Sequence, residues 1–150
     1  MKWFMIDGKE YRVRVFEPEE SFTILYTENT GRTLDNGAPM MLDPVGTFFN
    51  YTLTVGAIKG LEADFEALWE YLSFPRDEGV LISFPKSTNE MWQTKNDSGQ
   101  TVNGFYAYVS SGKRKIKKIV EKTDGNLKEV IYDTFAINFI ATKAQVTPTI

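Results

Sequence analysis

The sequence predicts a mainly β (α+β) fold: an antiparallel β-sandwich or barrel of about eight short strands with one flanking amphipathic helix. Three observations carry this expectation. Apolar and polar residues alternate in short runs along most of the chain, which is the period of a half-buried strand. Asp7-Gly8 and Asp124-Gly125-Asn126 sit between such runs, where a tight hairpin needs positive φ angles. A single segment has the 3.6-residue period of a helix. Eleven Phe, seven Tyr and three Trp among 150 residues supply large side chains for a core. A chain of this length buries roughly two-thirds of its unfolded surface, enough for one domain over 1–150 without disulfide or metal staples.

Taken in order, Trp3 to Ile6, the Asp7-Gly8 turn and Tyr11 to Val15 read as a β-hairpin, with Tyr11, Val13 and Val15 on its buried face. Pro18 and the acids Glu17, Glu19 and Glu20 break the pattern. Phe22, Ile24 and Tyr26 then mark a second strand. Residues 28–44 are rich in Asn, Gly, Asp, Thr and Pro and form the longest loop-like stretch, a kind usually functional or mobile. A strand follows over 46–55, with Phe49, Tyr51, Leu53 and Val55 on one face. Leu61, Phe65, Leu68, Trp69 and Leu72 form one apolar stripe, placing the helix over 61–72. Glu62 and Asp64 sit in its first turn, where the helix dipole favours acids. Pro75 ends it by disfavouring helical geometry at Phe74.

Further strands are expected over 79–84, at Met91-Trp92-Gln93, from Phe105 to Val109, and as a hairpin pairing 116–121 with 129–132. Phe135, Ile137, Phe139 and Ala141 define the last one. Residues 142–150 lack apolar periodicity and are expected to form a flexible tail, frayed or docked on a partner.

The chemistry open to this chain is restricted. It has no Cys and no His, which removes thiolate nucleophiles, disulfides, zinc sites with nitrogen or sulfur ligands, and imidazole acid–base work. No catalytic, cofactor-binding or metal-ligating set is assigned, and no cofactor is expected. Asp35 and Asp43 are better read as turn formers than as an acid–base or metal pair. The formal net charge of -3 implies no general affinity for nucleic acid. The Met1–Ile6 apolar run is too short for a signal peptide or a membrane span, so synthesis in the cytoplasm without membrane insertion is expected.

The densest charge run is Lys113-Arg114-Lys115-Ile116-Lys117-Lys118. One reading is a nucleic-acid or carbohydrate-binding surface in which Tyr106 and Tyr108 stack on the ligand. The favoured reading is a strand whose wet face and edge carry the charge, or a protein-contact surface, because lysines on an edge strand suppress unwanted pairing. The aromatic group Phe48, Phe49, Tyr51, Phe65, Trp69 and Tyr71 is assigned to the core rather than to a ligand pocket.

Several segments taken together carry a resemblance: Gly31-Arg32-Thr33-Leu34-Asp35-Asn36-Gly37, Pro44-Val45-Gly46-Thr47-Phe48-Phe49-Asn50-Tyr51, Phe65-Glu66-Ala67-Leu68-Trp69-Glu70-Tyr71-Leu72-Ser73-Phe74-Pro75 and Ala136-Ile137-Asn138-Phe139-Ile140-Ala141. In this order they resemble small structural proteins of the tail modules of phages and prophages of Gram-positive bacteria. The segment from Lys113 to Gly125 does not match that pattern. The resemblance implies a non-enzymatic virion component of the tail tube, distal tail or baseplate. It also implies a β-sandwich or barrel with one flanking helix, and partners that are further copies of itself in a ring or other homo-oligomer, together with neighbouring tail proteins. Subunit or partner contacts are expected at Arg32, Asp35 and Asn36 in the long loop and at Lys113, Arg114, Lys115, Lys117 and Lys118 in the basic run.

Overall fold

A computed structural model describes residues 2–28 and 42–148. The fold is mainly β with one helix, as the periodicities predict. Twelve strands are present among the described residues: β1 (Met5–Ile6), β2 (Lys9–Glu10), β3 (Arg14–Tyr26), β4 (Pro44–Gly56), β5 (Val80–Ser83), β6 (Pro85–Ser87), β7 (Glu90–Met91), β8 (Gln93–Lys95), β9 (Thr101–Asn103), β10 (Phe105–Tyr108), β11 (Lys113–Glu121) and β12 (Leu127–Ala141). Helix α1 (Glu62–Ser73) lies between β4 and β5. Eight of the strands form one antiparallel sheet in the order β2-β1-β5-β10-β12-β4-β3, with β11 also pairing with β12. The pairs β6-β7 and β8-β9 are small separate hairpins.

Strand β12 is the hinge of the architecture. Its fifteen residues pair with β11 at one end, β4 in the middle and β10 at the other. The sheet folds over a single buried cluster, so rings from distant parts of the chain meet: Phe4 lies 6.3 Å from Phe139, and Tyr51 lies 4.5 Å from Phe84 and 5.5 Å from Phe105. Phe65 and Leu68 of α1 close one side of the cluster, with Phe65 and Trp69 at 5.1 and 4.9 Å from Phe135. That is the packing the helix stripe requires.

Several local readings are corrected. Asp7 and Gly8 take positive φ (50° and 81°) as a tight turn needs, but the turn joins β1 to β2. Tyr11 and Val13 are buried without belonging to a strand. The Glu17–Glu20 interruption does not end a strand. β3 runs straight through it by a register shift between Phe16 and Glu19, with Glu17 at φ 41°. Pro18 is tolerated there because an edge-strand bulge needs no N–H from it. The two segments expected at 129–132 and 135–141 are one strand. Residues 142–148, expected as a flexible tail, instead dock on β4. Thr47 and Val146 form a bridge, and the Gln145 side chain accepts from Phe49 N and donates to Phe49 O, both at 2.8 Å.

The row Val15, Val55, Phe135, Arg114 crosses four strands. From that row β3-β4 continues one way, as far as Tyr26 opposite Pro44. β11-β12 continues the opposite way, to Glu121 opposite Leu127. The sheet therefore carries two ribbons that leave the body in opposite directions.

Candidate assembly surface

Among the described residues, the outer part of the β3-β4 ribbon is flanked only by the docked segment 142–148, and it leaves apolar side chains uncovered. Phe22 is 63% exposed, and Ile24, Leu25, Tyr26, Val45 and Leu42 are exposed with it. Soluble domains seldom leave a large apolar patch in water, and such a patch marks a contact surface. The root of the ribbon is fixed by a chain of hydrogen bonds. Trp92 Nε1 donates to the Tyr51 hydroxyl at 2.6 Å, and that hydroxyl donates to Glu20 Oε2 at 2.5 Å. Burial pushes the Tyr51 phenol well above its usual range, and the carboxylate that accepts its proton pushes it further, outweighing the indole donor. Tyr51 therefore stays protonated and acts as a fixed donor. At Thr27 the side chain donates from Oγ1 to Asp43 Oδ2 at 2.6 Å and the backbone N donates to Asp43 O at 2.9 Å, so Asp43 ties the two strands together.

The β11-β12 ribbon leaves Ile116, Ile119 and Leu127 more than half exposed. Its tip is a tight turn, with Gly125 at φ 85° and Asp124 Oδ1 accepting from Asn126 N at 3.0 Å. Its root is held by Arg114. Pairing opposite buried Phe135 turns Arg114 toward the helix, where its guanidinium sits 3.6 Å from the Tyr132 ring centroid, 4.7 Å from that of Trp69 and 5.8 Å from that of Phe65. It also donates to Glu66 Oε2 at 3.1 Å. Planarity and weak hydration suit a guanidinium, more than an ammonium, to such a slot.

The expected contact residues are thus divided. Lys113, Lys115, Lys117 and Lys118 are exposed on β11, an edge strand. Arg114 is not with them: its side chain is only 11% exposed, and its partners are internal. Arg32, Asp35 and Asn36 lie outside the described residues. Tyr106 and Tyr108 do not interleave with the lysines. Tyr108 pairs with Ile140, whereas Lys113 pairs with Ala136 and Lys118 with Ile131, so the run lies ~13 to ~30 Å further along β12. Missing from the expected set are the exposed acids Glu17 and Glu19 of β3 and the apolar residues of both ribbons. The signal was present in Phe22, Ile24, Leu25 and Tyr26, because apolar residues at adjacent positions occupy both faces of a strand.

Elsewhere, the helix is tied to the first turn. Tyr71 donates to Asp7, whose other carboxylate oxygen accepts from Leu81 N at 2.8 Å, and Arg76 stacks 3.9 Å from the Tyr71 centroid. Asp64 accepts from Arg12 N and Nε at 2.8 and 3.0 Å, which holds its carboxyl below the usual range. A cleft of about 490 Å³ opens between the end of α1 and the β10-β11 connection, walled by Trp69, Phe74, Arg76, Tyr108 and Ser111. Among the described residues no group of three or more His, Cys, Asp or Glu is placed to hold a metal, and no helix is long and apolar enough to cross a membrane. Compared with known proteins, the chain matches no family model, no curated protein and no solved structure.

Proposed function

We propose that this protein is a structural subunit of a phage or prophage tail that assembles with copies of itself into a ring, and that it performs no catalysis. The observation that carries self-assembly is the pair of oppositely directed ribbons, each with exposed apolar side chains and, among the described residues, an unpaired strand edge. An isolated two-stranded ribbon is marginal in water, and an open apolar edge is an invitation to pairing. Both features are accounted for when another subunit covers the exposed apolar side chains and pairs with the open edges. The assignment to a tail rests on the segment resemblance, which covers the chain from about Asp7 to about Ala144.

The test is the mass of the purified protein by light scattering over a wide concentration range, with negative-stain electron microscopy of the same sample. Rings of uniform diameter, or tubes stacked from them, are expected. A protein that stays monomeric up to millimolar concentration overturns the self-assembly reading. Recovery of the chain from purified tailed particles tests the tail assignment separately, and its absence from them would remove that part.

A further inference from the structure

Resting on that self-assembly reading, we infer that successive copies join head to tail, the edge of β3 left unpaired among the described residues of one copy pairing with the corresponding edge of β11 in the next. The two edges bound one four-stranded run, β3-β4-β12-β11, antiparallel at every step. Strand directions therefore alternate up, down, up, down. A second copy set beside the first in the same orientation brings an upward β3 against a downward β11. That junction is again antiparallel, so the alternation of strand directions continues across it, with the bulge at Glu17-Pro18 leaving one rung of the ladder unmade.

Charge selects this junction over the alternatives. β3 exposes Glu17 and Glu19, and β11 exposes Lys115, Lys117 and Lys118. Among the described residues none of these five forms an ion pair. Two-fold pairing of β3 with β3 sets acid against acid, and pairing β11 with β11 sets lysine against lysine. Like charges directly opposite are unfavourable, whereas β3 against β11 sets opposite charges face to face. The contact is then heterologous, the kind that closes into a ring when the rotation permits.

Register supports closure. Counted from the row Val15, Val55, Phe135, Arg114, Glu19 stands three residues one way, opposite Thr52, and Ile116 stands three the other way, opposite Tyr132. Bringing the acids onto the lysines requires a slide of about six residues, or ~20 Å, per copy. Four strands span ~19 Å across. A slide nearly equal to the width inclines the strands by about 45° to the ring axis, at the upper end of the tilt that closed barrels adopt. The opposite offset of the two ribbons is thus the stagger that a closed ring needs.

The experiment uses edge charge reversal in the whole chain. Glu17→Lys with Glu19→Lys, and separately Lys117→Glu with Lys118→Glu, should each weaken assembly at least about tenfold. All four changes in one chain should restore it. The chain lacks cysteine, so a second readout is clean: Glu19→Cys mixed with Lys117→Cys should give a disulfide-linked heterodimer in preference to either homodimer. Assembly that ignores both reversals, or cross-linking like with like, overturns the β3-β11 junction while leaving self-assembly standing. A wild-type chain that never assembles overturns both.

Discussion

Replacing Arg114 by Ala tests whether the basic run is one surface or two different devices. The Arg114 guanidinium contacts three rings, at 3.6, 4.7 and 5.8 Å from the centroids of Tyr132, Trp69 and Phe65, and pairs with Glu66 at 3.1 Å. Partly desolvated cation–π contact is worth about 0.5–2 kcal/mol. The ion pair adds about 0.5 kcal/mol, since Glu66 is half exposed. Loss of the packed methylene stem adds about 1 kcal/mol. Arg114→Ala should therefore destabilise by about 2–4 kcal/mol. Arg114→Lys should recover no more than about half, because an ammonium keeps the charge but not the plane. Lys117→Ala, one residue type from the same run, should stay within about 0.5 kcal/mol of wild type. Urea denaturation followed by circular dichroism measures all three, with the slope against denaturant unchanged if only stability has moved. Equal costs for Arg114→Ala and Lys117→Ala would refute the inward placement of Arg114.

Three further outcomes are expected. Tyr51→Phe removes the acceptor of the buried Trp92 N–H and the donor to Glu20, so it should cost about 1–3 kcal/mol. Adding Trp92→Phe to it should then cost far less than Trp92→Phe alone, and additive losses in a double-mutant cycle would contradict the hydrogen-bond chain. A Cβ on Gly46 would lie 2.6 Å from Ala144 Cβ and 2.9 Å from Val146 O, so Gly46→Val should undock residues 142–148. Hydrogen exchange should then quicken there and not in α1, and unchanged protection of that segment would sink the idea. Asp64 has a depressed folded pKa because Arg12 donates to it twice, so its contribution exists above the unfolded carboxylate pKa and drains away as pH falls through the folded one. Asp64→Asn should cost about 1 kcal/mol near pH 7, with the gap to wild type closing in acid. A gap that widens on acidification would show the sign to be wrong.

The mainly β class, the helix and the core positions were legible because each rests on local periodicity. Phe65 and Leu68 are buried in α1, and Tyr51, Leu53, Val55, Phe135, Ile137 and Phe139 are buried where the alternation placed them. Strand lengths were not legible. β3 crosses Glu17-Pro18 because a bulge absorbs the defect, and a bulge depends on the partner strand, not on the residues that bulge. The docking of 142–148 was hidden for a similar reason: Gln145 satisfies the backbone of Phe49, a residue 96 positions away. The lysines of the candidate surface stood out as a run, but Arg114 could not be separated from them. Only pairing opposite Phe135 decides that it points inward.

The two ribbons share a design that bears on how they associate. At the root of each, a polar group on the edge strand reaches an aromatic group of the body. Glu20 of β3 accepts from Tyr51, which is held by Trp92, and Arg114 of β11 lies on Tyr132 and Trp69. A ribbon without such an anchor would swing, and association would then have to order it at a cost set by the lost chain entropy. Anchoring fixes the direction of each free edge before a neighbour arrives, so more of the interaction energy remains for affinity. It follows that root variants should weaken assembly without touching the interface. Arg114→Lys, which leaves every edge charge in place, is expected to raise the dissociation constant of the oligomer several-fold and to quicken hydrogen exchange along 113–136. Exchange that quickens with no loss of affinity would show that the ribbons gain their order only on binding.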